Sequence, residues 1–182
     1  EFRRVLFRSR AAEGRPVRVA VIGAGKFGSM YLSQAPRTPG IHVVAVADLS
    51  PDRARASLAR VDWDAPRMSA TSLAQAAKEG STFITDDAPA VIASEFVDMV
   101  IDATGSPAAG IAHALLCCEH RKHIIMVNVE ADVLAGPLLA RKAAEAGVIY
   151  SMASGDQPAL IAELVDWART IGLEVVCAGK GT

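Results

Sequence analysis

Val17-Arg18-Val19-Ala20-Val21-Ile22-Gly23-Ala24-Gly25-Lys26-Phe27-Gly28 joins a short, nearly continuous apolar run to a Gly-X-Gly-X-X-Gly pattern. Such a run is what a strand covered on both faces of a parallel sheet requires. The residues from Phe27 to about Gln34 can be helical, so the glycines fall between a buried strand and a helix. In that setting Gly23 permits the tight turn, Gly25 lets a pyrophosphate approach the backbone, and Gly28 lets helix and strand pack closely. The helix start also offers unpaired N–H groups and a positive dipole end to phosphate. Lys26 and Phe27 stand at that start. Lys26 either reaches the pyrophosphate or stays in solvent. Asp48 ends a second apolar run, His42–Ala47, 20 residues beyond Gly28. A carboxylate there accepts hydrogen bonds from the adenosine ribose hydroxyls and repels a 2′-phosphate. Arg53 and Arg55 follow, either as solvated helix surface or as partners for such a phosphate. The expected cofactor is therefore NAD or NADP.

Outward from this unit, strand-like runs and helical patterns alternate. Ser50-Pro51-Asp52 reads as a helix start, with a capping serine, proline in the first turn and an acid at the positive dipole end, and that helix runs to about Arg60. Trp63–Arg67 reads as loop, and Ser69–Lys78 as a helix closed by Gly80. Thr82–Thr85, Phe96–Asp102, Ile124–Asn128 and Val148–Ser151 read as strands three to six. Helices are expected over Asp86–Ser94, from Ser106-Pro107 to about His120, and from Gly136-Pro137 to a stop before Gly147. Six strands with intervening helices over residues 16–151 predict an α/β fold, a doubly wound parallel sheet of the Rossmann kind. Residues 152–182 change rhythm: a turn, a helix to about Ile171 with Leu160, Ile161, Leu164, Val165 and Ala168 on one face, then the strand-like Leu173–Ala178. These read as a linker helix and the start of a second, substrate domain, in a chain expected to be a fragment of a longer protein.

The whole chain has 182 residues, 51% apolar and 21% charged, with a formal net charge of −1. That composition excludes intrinsic disorder. No apolar run approaches the ~20 residues of a membrane-spanning helix. The first nine residues resemble the conceptual translation of a sequencing-adapter end and are read as a non-native scar; without their three arginines and one glutamate the charge is −3. No basic field then favours nucleic acid. The three cysteines, two of them adjacent, suggest neither a disulfide framework nor a metal site, which fits a reducing cytoplasm.

Ligands of open α/β sheets lie at the carboxyl ends of the strands. Asp102-Ala103-Thr104-Gly105-Ser106-Pro107 lies at one such end; Thr104 and Gly105 would let a nicotinamide ring approach, and Ser106 reads first as a helix cap. Asn128-Val129-Glu130-Ala131-Asp132 lies at another: Asn128 joins the cofactor candidates, Glu130 is a candidate acid–base group, and Asp132 is equally well a cap. Ser154–Pro158, with Asp156, is the third. His42, His113, His120 and His123 read as structural or surface groups, and Cys117 and Cys118 as helix packing.

Arg121-Lys122-His123-Ile124-Ile125-Met126-Val127-Asn128, Ala153-Ser154-Gly155-Asp156-Gln157-Pro158 and Ala178-Gly179-Lys180-Gly181-Thr182 resemble segments of the homoserine-dehydrogenase-like NAD(P)-binding family. Val129 stands where that family places a lysine, and Lys180 where it places an asparagine. The combination looks more like a sister group, the 1-deoxy-D-xylulose 5-phosphate reductoisomerase-like oxidoreductases, which often carry a C-terminal SAF domain. The resemblance implies an oxidoreductase that moves hydride between a nicotinamide cofactor and a small hydroxy or keto metabolite, for instance a sugar phosphate. It places Lys180 at the entry to the substrate domain, where a compact charge holds an anion or a developing alkoxide, with Glu130 and Asp156 facing the same cleft. It leaves room for a homo-oligomer built through the missing domain. A sugar or inositol dehydrogenase is the alternative, though the Glu-Lys-Pro such enzymes place after strand five is not found here. A nucleotide-sensing regulator is the alternative from another class.

Overall fold

The computed structural model describes residues 8–153 and 157–179. Six strands form one parallel sheet in the order β3-β2-β1-β4-β5-β6: β1 (Val17–Ile22), β2 (Ile41–Ala47), β3 (Phe83–Thr85), β4 (Met99–Asp102), β5 (His123–Met126) and β6 (Tyr150–Met152). This is the doubly wound order, with its topological switch between β1 and β4. Ile22 pairs with Ala47 on one side and Asp102 on the other, and Asp102 pairs with Met126, so the strands end level at the carboxyl edge.

The helices are α1 (Lys26–Gln34), α2 (Pro51–Ala59), α3 (Leu73–Glu79), α4 (Ala88–Ala93), α5 (Pro107–Glu119), α6 (Val129–Ala146) and α7 (Gln157–Thr170). They cover both faces of the sheet. Val19, Val21, Val43 and Val46 pack with Leu32, Leu58 and Trp63 on one face. Val44, Val100, Ile124 and Met126 pack with Ile92, Cys117 and Leu139 on the other. Trp63 is buried and donates from its indole to the Leu32 carbonyl at 2.8 Å, with Arg67 over its ring.

Several boundaries differ from the sequence expectation. Helix α6 begins at Val129, not at Gly136-Pro137, because the Asn128 side chain caps it and Glu130 and Asp132 occupy its first turn. Pro137 lies inside the helix on its exposed side, where a carbonyl that loses its N–H donor is open to hydration. Strand β5 accordingly ends at Met126 rather than Asn128. Helix α3 begins at Leu73: Ser72 caps it, while Ala70 forms an isolated bridge with Phe83. Ser50 makes no side-chain cap at α2; its backbone N–H instead donates to Asp48. Strands β4 and β6 start later than expected, at Met99 and Tyr150. The run Leu173–Ala178 forms no strand and lies along α7, where a strand's hydrogen-bonding neighbour is lacking among the described residues. Leu160, Leu164 and Trp167 of α7 are exposed.

Candidate functional site

The glycine loop is built by close approaches. Gly23 has φ +98°, and a Cβ there would stand 2.6 Å from the Ala103 carbonyl oxygen. A Cβ on Gly28 would stand 2.2 Å from the Gly23 carbonyl oxygen. Those two positions are closed by the protein itself. Gly25 is different: a Cβ there would meet nothing within 4 Å. It is the N-cap residue of α1 with no side chain to fill the space before the helix.

Asp48 ties this loop to the second strand. One of its oxygens accepts from the Ala24 N–H at 2.9 Å, the other from the Ser50 N–H at 3.0 Å. Each oxygen keeps a further lone pair, so a ribose hydroxyl can still be held. The cleft beside it has a volume of about 370 Å³ and runs along the carboxyl ends of β1, β2 and β4. Gly23, Gly25, Asp48 and Arg53 line it, as do Ala103, Thr104 and Ser106. An open backbone surface at a helix start, a carboxylate with spare acceptors and a cleft at the switch point fit a dinucleotide.

Not every expected residue reaches the cleft. Lys26, Phe27 and Gly105 are exposed but do not line it. Arg55 is occupied elsewhere, donating to the Met68 carbonyl at 2.9 Å, which leaves Arg53 as the arginine at the cleft. Asn128 is turned inward and is 2% exposed. Its carbonyl caps α6 through the Ala131 N–H at 3.2 Å, and its amide donates to the Ser106 carbonyl at 2.7 Å and to the Thr104 hydroxyl at 3.1 Å. It does not line the cleft and holds Thr104 and Ser106 from behind it. Glu130 is exposed on the first turn of α6, not on a loop, and does not line the cleft. Asp132 is not the cap of α6; it accepts from the Tyr150 hydroxyl at 2.8 Å, while burial and that hydrogen bond push the phenol pKa up. Asp156 and Lys180 lie outside the described residues.

The structure also brings to the cleft residues to which the sequence reading gave no role in binding. Asp102 is fully buried at the end of β4. One of its oxygens accepts from the Thr104 N–H at 3.2 Å and hydroxyl at 2.8 Å; the other meets His113 Nδ1 at 2.6 Å. His113 lines the cleft, as does Asp86 after β3. A signal for His113 was present: Ser106, Ala109 and His113 are spaced i, i+3, i+7, which places them on one face of α5, and all three line the cleft.

These features define a dinucleotide-binding α/β unit. Residues 17–128 match the sequence profile of the oxidoreductase family with an NAD-binding Rossmann fold, and the chain belongs to that family, the GFO/IDH/MocA oxidoreductases. Residues 155–182 match the catalytic domain of oxidoreductase DRL. A search of curated proteins finds no significant match. Among solved structures, the chain is similar to an NAD-binding oxidoreductase from Klebsiella pneumoniae, with TM-score 0.59 and 17% identity, covering 86% of this chain and 39% of that one. It is similar to myo-inositol dehydrogenase from Lactobacillus casei in complex with NAD(H) and myo-inositol, with TM-score 0.59 and 18% identity, covering 84% and 42%. It is also similar to the WlbA dehydrogenase from Chromobacterium violaceum in complex with NADH and UDP-GlcNAcA, with TM-score 0.59 and 16% identity, covering 86% and 40%. The chain thus spans about two fifths of the length of the structures it matches.

Proposed function

We propose that this chain is the cofactor-binding half of an oxidoreductase that moves hydride between a nicotinamide cofactor and a CH–OH or keto carbon of a small polyhydroxylated metabolite. The observation that carries the reading is the cleft at the β1–β4 switch, where Gly25 alone of the three fingerprint glycines is left open to a ligand. When bound, the nicotinamide supplies or accepts the hydride. The chain's own part is to seat the pyrophosphate at the start of α1, to hold the adenosine ribose through Asp48, and to shape the cleft through Thr104 and the inward Asn128. Dehydrogenase neighbours solved with inositol and a nucleotide sugar favour the sugar or inositol type over homoserine. A phosphorylated sugar is the narrower form of the proposal. Its support is the resemblance of Val127–Asp132 to the reductoisomerase-like group, together with the match of residues 155–182 to a DRL catalytic domain.

Titration of NADH fluorescence against wild type and Gly25→Val tests the cofactor reading. Valine at this open position leaves the fold intact and obstructs the pyrophosphate, so binding should be lost; equal binding by both proteins would sink the assignment. Within the proposal, Lys180 and Asp156 supply the charge and the acid–base group on the substrate side. In the full-length enzyme Lys180→Met should lower kcat/KM about 100-fold with cofactor affinity unchanged, as expected for one lost transition-state contact.

A further inference from the structure

We propose that His113 reads the adenine of the bound dinucleotide, its Nε2 accepting a hydrogen bond from the exocyclic amino group, and that Asp102 fixes the tautomer that makes this possible. The inference rests on the reading of the cleft as a dinucleotide site and adds to it a residue that selects the base.

The tautomer follows from the donors around Asp102. Its Oδ1 faces the Thr104 N–H, the Thr104 hydroxyl and, at 3.5 Å, the Asn128 amide. Its Oδ2 faces His113 Nδ1 at 2.6 Å. A fully buried carboxylate surrounded in this way is an acceptor on both oxygens, so the ring carries its proton on Nδ1. In its neutral form a ring with its proton on Nδ1 presents a lone pair at Nε2. That atom makes no hydrogen bond among the described residues. Nor is it sealed in: the one buried side-chain polar atom without a partner among the described residues is Ser81 Oγ. The ring is 14% exposed and lines the cleft.

The surroundings point to a purine. Ala88, Ala103 and Ala109 give the cleft small apolar walls. Leu49, beside Asp48, also lines it and is 93% exposed. A large apolar side chain held in solvent at a cleft is a surface for a flat apolar ring. Of the hydrogen-bond donors on adenosine, the ribose hydroxyls fall to Asp48. The amino group is the donor left for an acceptor at His113.

The test compares NADH with its deaminated analogue, whose purine carries a carbonyl in place of the amine. Wild type, His113→Asn and Asp102→Asn are titrated as the full chain. In His113→Asn the amide nitrogen replaces Nδ1–H, which keeps Asp102 paired while removing Nε2. In Asp102→Asn the donors from Thr104 hold the amide oxygen at the Oδ1 position. The amide nitrogen then faces Nδ1 and drives the ring proton to Nε2. Wild type should favour NADH about tenfold, the effect of one hydrogen bond and its mismatch. His113→Asn should lose the preference, and Asp102→Asn should reverse it. An unchanged preference in a folded His113→Asn would overturn the proposal. So would equal weakening of both dinucleotides in that variant, which would place Nε2 at the ribose. Failure of wild type to bind NADH, its analogue or ADP-ribose would overturn the reading of the cleft itself, and this inference with it.

Discussion

The two ends of the sheet carry charge in opposite ways. At the amino edge, Arg18 of β1 meets Asp98 just before β4 through its guanidinium at 2.7 and 3.1 Å and through its backbone N–H at 2.8 Å. Lys122, before β5, donates to the Ser94 and Val97 carbonyls at 2.7 and 2.8 Å. Burial opposes ionisation of Asp98, but the hydrogen bonds from Arg18 outweigh it and hold the carboxyl below its usual range. Arg18, Asp98 and Lys122 each have a partner there. At the carboxyl edge, Asp48 and Asp102 are held by N–H and O–H donors, and acceptor capacity is left over at Asp48 and at His113. A closed set of polar groups stabilises a fold, whereas an incomplete one facing a cleft awaits a ligand.

The largest way to break this contrast is through the backbone of the carboxyl edge. Gly28→Val forces a side chain onto the Gly23 carbonyl, and should cost about 3 kcal/mol in urea unfolding, the upper range for overpacking. A folded variant of wild-type stability would show that helix α1 can lift from β1. Next, Asp48→Asn removes a charge from the ribose site while keeping an acceptor. The ratio of NADPH to NADH affinity should rise roughly tenfold, or about 1.4 kcal/mol. An unchanged ratio would mean that Asp48 does not face the 2′ position.

Arg18→Met probes the closed edge and should cost about 1 kcal/mol, since both partners are about a third exposed. Cofactor affinity should not change. Because the folded pKa of Asp98 is depressed, its contribution is present above the unfolded carboxylate range near pH ~4 and fades as pH falls through the lower folded value. Wild type and Arg18→Met should therefore converge in stability on acidification; a gap that persists at low pH would separate the pair from that stability. The smallest effect concerns reactivity alone. Burial pushes the Cys117 thiol up to about 12, while Cys177 is exposed. At pH 8 a thiol reagent should label Cys177 promptly and Cys117 only on unfolding, and prompt labelling of Cys117 would show that α5 opens locally.

Local signals made most of the fold legible. Apolar runs flanked by helix starts gave all six strands, and Gly80 and Gly147 closed helices α3 and α6 in left-handed backbone as expected. The errors arose where two local signals competed. Gly136-Pro137 looks like a helix start, but Asn128 with the acids after it begins the helix earlier. Leu173–Ala178 has a strand's composition, yet a strand exists only with a neighbour. At the site, the placement of Gly23, Gly25 and Asp48 at one cleft was legible because it depends on spacing from one strand. The capping role of Asn128 was not separable in the sequence from that of a ligand, because an amide at a strand end serves equally as either. His113 reads in the sequence as a structural or surface group because its partner, Asp102, is 11 residues away and touches it only through the geometry of β4 and α5.

The two tryptophans also occupy opposite surroundings. Trp63 is 4% exposed, with its indole N–H bound to a backbone carbonyl, whereas Trp167 on α7 is 63% exposed. The chain therefore contains its own pair of optical probes. Emission from Trp63 comes from a dry setting on the α1–α2 face of the sheet. Emission from Trp167 comes from a wet one, open to a soluble quencher. Loss of the blue component follows the melting of the sheet, and shielding of the red component follows whatever comes to cover the last helix.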